Sequence, residues 1–388
     1  MEFTLLKLVF TIGNILTVTP SSIDIEPSQT KTKIRVFAML AFYTAAVFTS
    51  FYFRTPSYMQ YIHIKLAIKV MVDSSLFLFT ITTVIFSVTK RPQWFFLIRN
   101  LRLTQYEKKS SPKLPVLGFL VCNALFWAII IFMSYVFTRI KFWSFYRSYG
   151  IEYPQLYIQF LMSYLFCAVT AMLKCRYYYL HKVLSRQISL IRKENRHSLK
   201  KTFSLIFLDR IKYDLNILKE ATDYFNSIFG WPFLLTLIFS SLQVLSYLDS
   251  LFSISSRKKP LNVLSNVLMT LLLVFEVAVP IWMCDLVLCH AEHILTTAFH
   301  LQRYLTHDMY KENEELANFI KVVKDNFPKF SLARFCVIDR SILYKIFETL
   351  STVLIILIQF NPNLDKVSGL NEQYFNRCRC FDDNVTSV

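Results

Sequence analysis

A chain of 388 residues that is 54% hydrophobic, 18% charged and of net charge +17 is not composed like a soluble enzyme, since soluble domains average about 25% charged residues. Its apolar residues are bunched and its basic residues fall between the bunches. That placement argues against a nucleic-acid surface, because loop lysines and arginines face anionic headgroups and orient a chain in a bilayer.

The opening MEFTLLKLVFTIGNILTV is amphipathic, without a basic leader or a small-x-small cleavage site. It is read as a short helix lying on a membrane surface rather than as a cleaved signal. Seven windows then come close to or exceed the about 20 apolar residues that one crossing needs: 36–53, 66–88, 115–138, 154–173, 231–255, 261–288 and 341–360. They predict an all-α polytopic membrane protein, a single seven-helix domain over 1–388. In the second span Lys69 and Asp73 stand one helical turn apart, a spacing at which they can pair with each other.

The stretches 174–230 and 286–340 are too long and too patterned for loops. Leu180, Val183, Leu184, Ile188 and Ile191 recur at helical spacing, as do Leu205, Leu208, Ile211, Leu215 and Leu218. Such apolar stripes need a surface to bury against, so these stretches are expected to be cytoplasmic helical extensions that pack together below the membrane. Glu276 sits in the middle of the sixth span without a local partner, and an intramembrane ionisable group is a functional candidate by default. Lys345 and Glu348 form an i, i+3 pair in the seventh.

No catalytic constellation emerges. In CHAEH, His290 and His293 have the wrong spacing for a His-Glu-x-x-His zinc site. The eight cysteines contain no C-x-x-C pair, which gives neither a zinc nor a redox motif. The protein is therefore not expected to be an enzyme, and no metal or cofactor is implied.

Lysines and arginines outside the spans set the orientation. The N-terminal segment and the connections after the second, fourth and sixth spans hold 30, against 11 in the remaining connections and the tail. Under the positive-inside rule this places the N-terminus in the cytoplasm and the tail 361–388 outside. The one N-x-S/T sequon, at Asn384, lies in that tail and is a possible glycosylation site. Seven spans in this sense are inverted relative to a G-protein-coupled receptor, and Asn361-Pro362 lacks the downstream tyrosine of an NPxxY motif. A secondary transporter would show paired halves with Gly/Pro-broken helices; this chain has 5 glycines and no visible halves.

Three segments carry a family resemblance: YDLNILKEATDYFNSIFGWPFLLTL at 213–237, FSLARFCVIDRSIL at 330–343, and TVLIILIQF at 352–360. Together they resemble the insect gustatory receptors. The last is similar to that family's Thr-Tyr-x5-Gln-Phe signature at Thr352, Gln359 and Phe360, with Val353 in the tyrosine position. Insect odorant receptors share the topology and are the alternative. The resemblance implies a multi-pass receptor of the plasma membrane of sensory neurons, gated by a small-molecule tastant. It also implies a homo- or hetero-tetramer with related subunits, acting as a nonselective cation channel whose seventh helices line the pore.

Helical geometry is compatible with that implication. Thr352, Ile356 and Gln359 fall on one face at steps of four and three, with Phe360 adjoining. An amide facing hydrocarbon lacks partners, whereas around a water-filled axis Gln359 forms a polar ring with Ile356 as an apolar constriction. Candidate pocket residues in the outer halves of the spans are Tyr135, Tyr157, Tyr164, Gln243, Tyr247, Asn262 and Asn266, together with Lys69, Asp73 and Glu276. Aromatic rings supply contact area, and amides fix the orientation of a small organic ligand.

Overall fold

Runs of Leu, Ile, Val and Phe almost free of glycine favour helices, which alone among open structures satisfy every backbone N–H and C=O within one segment in hydrocarbon. The computed structural model describes residues 2–20, 29–59, 63–104, 113–193, 205–252, 260–304 and 310–359. Phe360, Asn384 and the rest of the tail lie outside the described residues. In chain order the elements are α1 (Glu2–Ile15), α2 (Gln29–Tyr58), α3 (His63–Thr89), α4 (Arg91–Leu103), α5 (Lys113–Lys141), α6 (Ser144–Tyr149) and α7 (Glu152–Lys193). Then come α8 (Leu205–Phe252), α9 (Pro260–Tyr304), α10 (Tyr310–Asp325), the strands β1 (Ser331–Leu332) and β2 (Cys336–Val337), and α11 (Arg340–Gln359).

Seven of these helices contain stretches long and apolar enough to cross a membrane: Thr32–Pro56, His63–Thr89, Pro115–Arg139, Glu152–Gln187, Phe207–Leu251, Pro260–Gln302 and Arg340–Gln359. Each overlaps a window read from the sequence. Helices α7, α8 and α9 have 42, 48 and 45 residues. At about 1.5 Å per residue they far exceed the roughly 30 Å of hydrocarbon in a bilayer. The amphipathic stretches 174–193 and 205–230 are therefore continuous with spans, forming a platform at one end of the bundle.

Aromatic packing builds the platform core. Phe166 of α7 meets Phe225, Phe229 and Phe233 of α8 at centroid distances of 4.7, 5.5 and 4.6 Å. Trp94 of α4 joins Phe229 at 5.2 Å and Phe10 of α1 at 5.0 Å. Helix α4 runs antiparallel along α8: Lys90 Nζ donates to Ser227 Oγ at 3.0 Å, and Asn100 Nδ2 to Glu220 Oε2 at 3.3 Å. A second, smaller core surrounds Val72, Leu76, Phe126, Ile130, Met269 and Leu273 toward the opposite end.

Two expectations are corrected. The apolar face of α1 does not lie on lipid: Leu6, Val9 and Phe10 are buried in the platform core, because α4, α5 and α7 offer a protein surface for it. The expected helical extension 286–340 is interrupted over residues 326–339 by a turn and a hairpin, in which Ser331 pairs with Val337 and Leu332 with Cys336. Pro328 disfavours helix there, and Phe330, Leu332 and Ile338 are buried among the platform helices.

The hairpin turn places Ala333 and Arg334 at φ 48° and 67°, with Phe335 N donating to Leu332 O at 2.8 Å. Positive φ at two successive residues is the two-residue turn whose twist suits a hairpin, although it usually takes Asn or Gly. Side-chain clamping holds it in place. Asn226 of α8 donates Nδ2–H to Lys329 O at 2.7 Å and accepts from Ser331 N at 3.1 Å. One turn on, Gly230 allows backbone approach: a Cβ there would stand 2.8 Å from Ala333 N. Two of the segments that carry the family resemblance, 213–237 and 330–343, are thus pressed together in space.

Candidate functional site

At the end of the bundle opposite the platform, α2, α3, α5, α6, α7, α8, α9 and α11 enclose a cavity of about 460 Å³. Its electrostatic hub is Arg54, whose side chain is only 6% exposed. Nη1 donates to Asp73 Oδ1 of α3 at 2.9 Å, and Nη2 pairs with Glu152 Oε1 of α7 at 2.6 Å and donates to Ser50 Oγ at 2.9 Å. Nε donates to the carbonyl of Ser148, and the guanidinium lies 4.3 Å from the ring centroid of Tyr149. Tyr58 donates its hydroxyl to the other Asp73 oxygen. Across the cavity, Lys65 Nζ bridges both oxygens of Asp249 at 3.0 and 2.9 Å.

Lys69 and Asp73 have the spacing to pair; the structure also gives Asp73 the guanidinium of Arg54 and the hydroxyl of Tyr58 as partners from α2. A planar guanidinium carries five donors and serves two carboxylates, a hydroxyl and a carbonyl at once, whereas an ammonium is a single point charge. Lys69 also borders the cavity, as do Gln243, Tyr247, Asn262 and Asn266. Asn266 Nδ2 donates to Ser250 Oγ at 3.1 Å, joining the two helix ends at the mouth.

Four other candidates lie elsewhere. Tyr135 is 49% exposed, with the Arg139 guanidinium 5.0 Å from its ring centroid. Tyr157 and Tyr164 fill the α5–α7 interface: Tyr157 donates to Asn123 Oδ1 at 3.0 Å, and Tyr164 packs on Phe119 at 4.8 Å. Glu276 has no local partner but has a distant one. Gln159 Nε2 donates to Glu276 Oε2 at 2.9 Å and to Ser240 Oγ at 3.1 Å, so one buried polar knot ties α7, α8 and α9 together. The knot joins three helices through polar contacts inside the bundle and leaves Glu276 away from the cavity wall.

Helix α11 is held at both ends, and between them Ile346 and Leu350 pack one side of it against the bundle. At its base Asp339 caps the helix, accepting from Ile342 N at 3.3 Å, and Arg340 Nε donates to Asp285 Oδ2 at 2.6 Å. Toward its far end Leu357 is the one buried residue of the helix, 3% exposed, and it forms part of the cavity wall. Thr352, Ile356 and Gln359 are all exposed, on the side that this chain leaves uncovered. Lys345 and Glu348 are exposed as well.

Sequence reading missed Arg54, Tyr58, Lys65, Glu152, Asp249 and Leu357 at this site. A signal existed for the charged ones: each lies at a helix end on the same side of the membrane pattern, where oppositely charged side chains on neighbouring helices can meet. Leu357 carried none, being one aliphatic residue in a run of six.

The chain matches the family described as 7tm chemosensory receptor over residues 6–363. No curated protein matches it. Its fold is similar to that of the insect olfactory receptor OR5 from Machilis hrabei, at 15% identity and a TM-score of 0.57, with 93% of this chain and 100% of that chain covered. The same receptor in complex with eugenol aligns at 14% identity and a TM-score of 0.60, over 93% and 100% of the two chains.

Proposed function

The chain belongs to the 7tm chemosensory receptor family, and from that membership we propose that it is a gustatory-type receptor subunit and a ligand-gated cation channel. A small molecule occupies the cavity among α2–α9, and α11 lines the pore of a homo- or hetero-tetramer in the plasma membrane of a sensory neuron. The observation that carries this reading is the two-sided character of α11. One side gives Leu357 to the cavity, and the other offers Thr352, Ile356 and Gln359 to whatever lies beyond the chain. A ligand touching Leu357 thereby acts on the helix that carries the polar stripe.

The gustatory assignment is supported by the Thr352–Gln359 signature of α11. The odorant-type alternative draws on the likeness to an olfactory receptor that binds eugenol. With the N-terminus in the cytoplasm, the cavity opens toward the outside and the platform lies inside. Neutral amides at Gln359, with the exposed Glu348 three helical turns below on the same stripe, fit passage of cations with weak discrimination among them.

Current recording in cells expressing the receptor tests the pore. Gln359→Leu is expected to lower unitary conductance severalfold and to shift permeability ratios, with surface abundance unchanged. Unaltered conductance and selectivity would remove Gln359 from the pore. Leu357→Ala is expected to weaken ligand sensitivity about tenfold, equivalent to about 1.4 kcal/mol, while the permeability ratios stay fixed. A change in ion selectivity without a change in sensitivity would contradict the assigned role of Leu357.

A further inference from the structure

The cavity is graded in polarity along its depth, and α3, α7, α8 and α9 each carry the gradient, while α5 and α11 add apolar wall with Ile130, Met133, Phe137 and Leu357. On α3, Lys65, Lys69 and Asp73 lie toward the helix end at the mouth, and Leu76 lies deepest. On α9, Asn262 and Asn266 precede Met269 and Leu273. Helix α8 runs the other way and keeps the same order in space: Asp249, Tyr247 and Gln243 come before Phe239 toward the interior. On α7, Glu152 stands at the mouth and Leu156 one turn below it. The floor is completed by Ile130 and Met133 of α5.

The ring at the mouth carries no net charge. Arg54, Lys65 and Lys69 are balanced by Asp73, Glu152 and Asp249. Its carboxylates already have partners: Arg54 serves Asp73 and Glu152, and Lys65 serves both oxygens of Asp249. A ligand cation must break one of these bridges, and a ligand anion must draw Lys69 away from Glu152, with which it interacts; either strands a charge in a confined site, which is costly. A ligand that is polar throughout meets a floor of Leu76, Phe239, Met269 and Leu273, where its deeper hydroxyls find no acceptors.

We infer that the cavity selects a neutral amphiphile, with a compact hydroxyl-class head at the ion-pair ring and an apolar body on the floor. This rests on the reading of the cavity as the ligand site. The ring gives the head both donors and acceptors, from Lys65, Arg54, Gln243 and Asn266. Each methylene added to the body is removed from water against aliphatic and aromatic side chains. That predicts a gain of about fourfold in affinity per methylene until the floor is covered. The ring fixes the class of head, and Leu273 and Leu76 fix the length of the body.

The test uses the full chain in phosphatidylcholine nanodiscs for binding, and cells expressing it for current, with n-alkanols from butanol to nonanol as probes. Alkylammonium, alkylcarboxylate and hexitol probes are run beside them. The expected result is alkanol binding that tightens about fourfold per carbon, with both charged series at least tenfold weaker at equal length and hexitol inert. Membrane partition alone gives a similar chain-length trend, so Leu273→Ser and Leu76→Ser are measured as well. They are expected to flatten the gain for the longer alkanols, which partition does not do. Glu152→Gln and Asp249→Asn each give the ring one excess positive charge and are expected to favour the carboxylate series. Identical slopes in the wild type and both floor variants, or tighter binding of either ion or of hexitol by the wild type, overturn the inference. Graded alkanol binding without any current leaves the inference standing and sinks the channel reading. Currents evoked by hexitol but not by alkanols do the reverse.

Discussion

Arg54→Met is expected to cost about 3–5 kcal/mol of stability, the usual result of stripping one partner from a buried ion pair. The loss has a specific origin. Asp73 and Glu152 remain side by side at the mouth of the cavity, each without its guanidinium, and the carbonyl of Ser148 loses a donor as well. The readout is the temperature at which the detergent-solubilised protein leaves its monodisperse peak. Neutralising both acids in the same chain, Arg54→Met with Asp73→Asn and Glu152→Gln, is expected to recover much of the loss, because no charge is then stranded. A single substitution that leaves the melting temperature unmoved would show that Arg54 does not hold α2, α3 and α7 together.

Gly230→Val is expected to abolish ligand-evoked current and to cut surface abundance severely. Any Cβ at this position meets the backbone nitrogen of Ala333 at 2.8 Å, and Asn226 holds Lys329 and Ser331 so that the hairpin has nowhere to retreat. Overpacking of this kind costs about 1–3 kcal/mol in ordinary cores. Here the displaced part is also the mount of α11, through Asp339 and Arg340. Gly230→Ala, with one carbon rather than three, should fall between the two. Normal currents and surface levels in Gly230→Val would mean that the close approach of α8 to the hairpin is dispensable.

The helices were legible because their signal is local. Consecutive apolar residues report a span without knowledge of any neighbour, and the stripes at Leu180–Ile191 and Leu205–Leu218 report buried faces in the same way. The hairpin was less legible. Its two strands are two residues each, too short for alternation to register, and its turn uses Ala333 and Arg334 where the usual marker is glycine or asparagine. The ion-pair ring escaped for a different reason. Arg54 lies one residue beyond the first apolar window and so counted as a loop cation, although its partners come from α3 and α7. Glu276 and Gln159 are 117 positions apart, and no spacing rule reaches that far. Of the pocket candidates, those at the mouth of α3, α8 and α9 border the cavity, while Tyr135, Tyr157 and Tyr164 were chosen for chemistry that lipid-facing and interface positions also use. Aromatic rings are too common in this chain, with 21 tyrosines and 37 phenylalanines, for type alone to locate a site.

Helix α8 reaches from the cavity to the platform as a rod of about 72 Å. A tilt of only about 3° in an unbroken rod of that length sweeps its far end through about 4 Å, enough to drag the hairpin and the base of α11 with it. But the rod has a weak point. Pro232 lies inside α8, two residues past Gly230, where its ring crowds the carbonyl of Ile228 and supplies no N–H to the ladder. A helix bends at such a point before it tilts as a whole. The cavity half can swing about this fulcrum while the half clamped to the hairpin stays at rest. A ligand that bends α8 there is expected to pull α11 from its Leu357 end against its foot at Arg340.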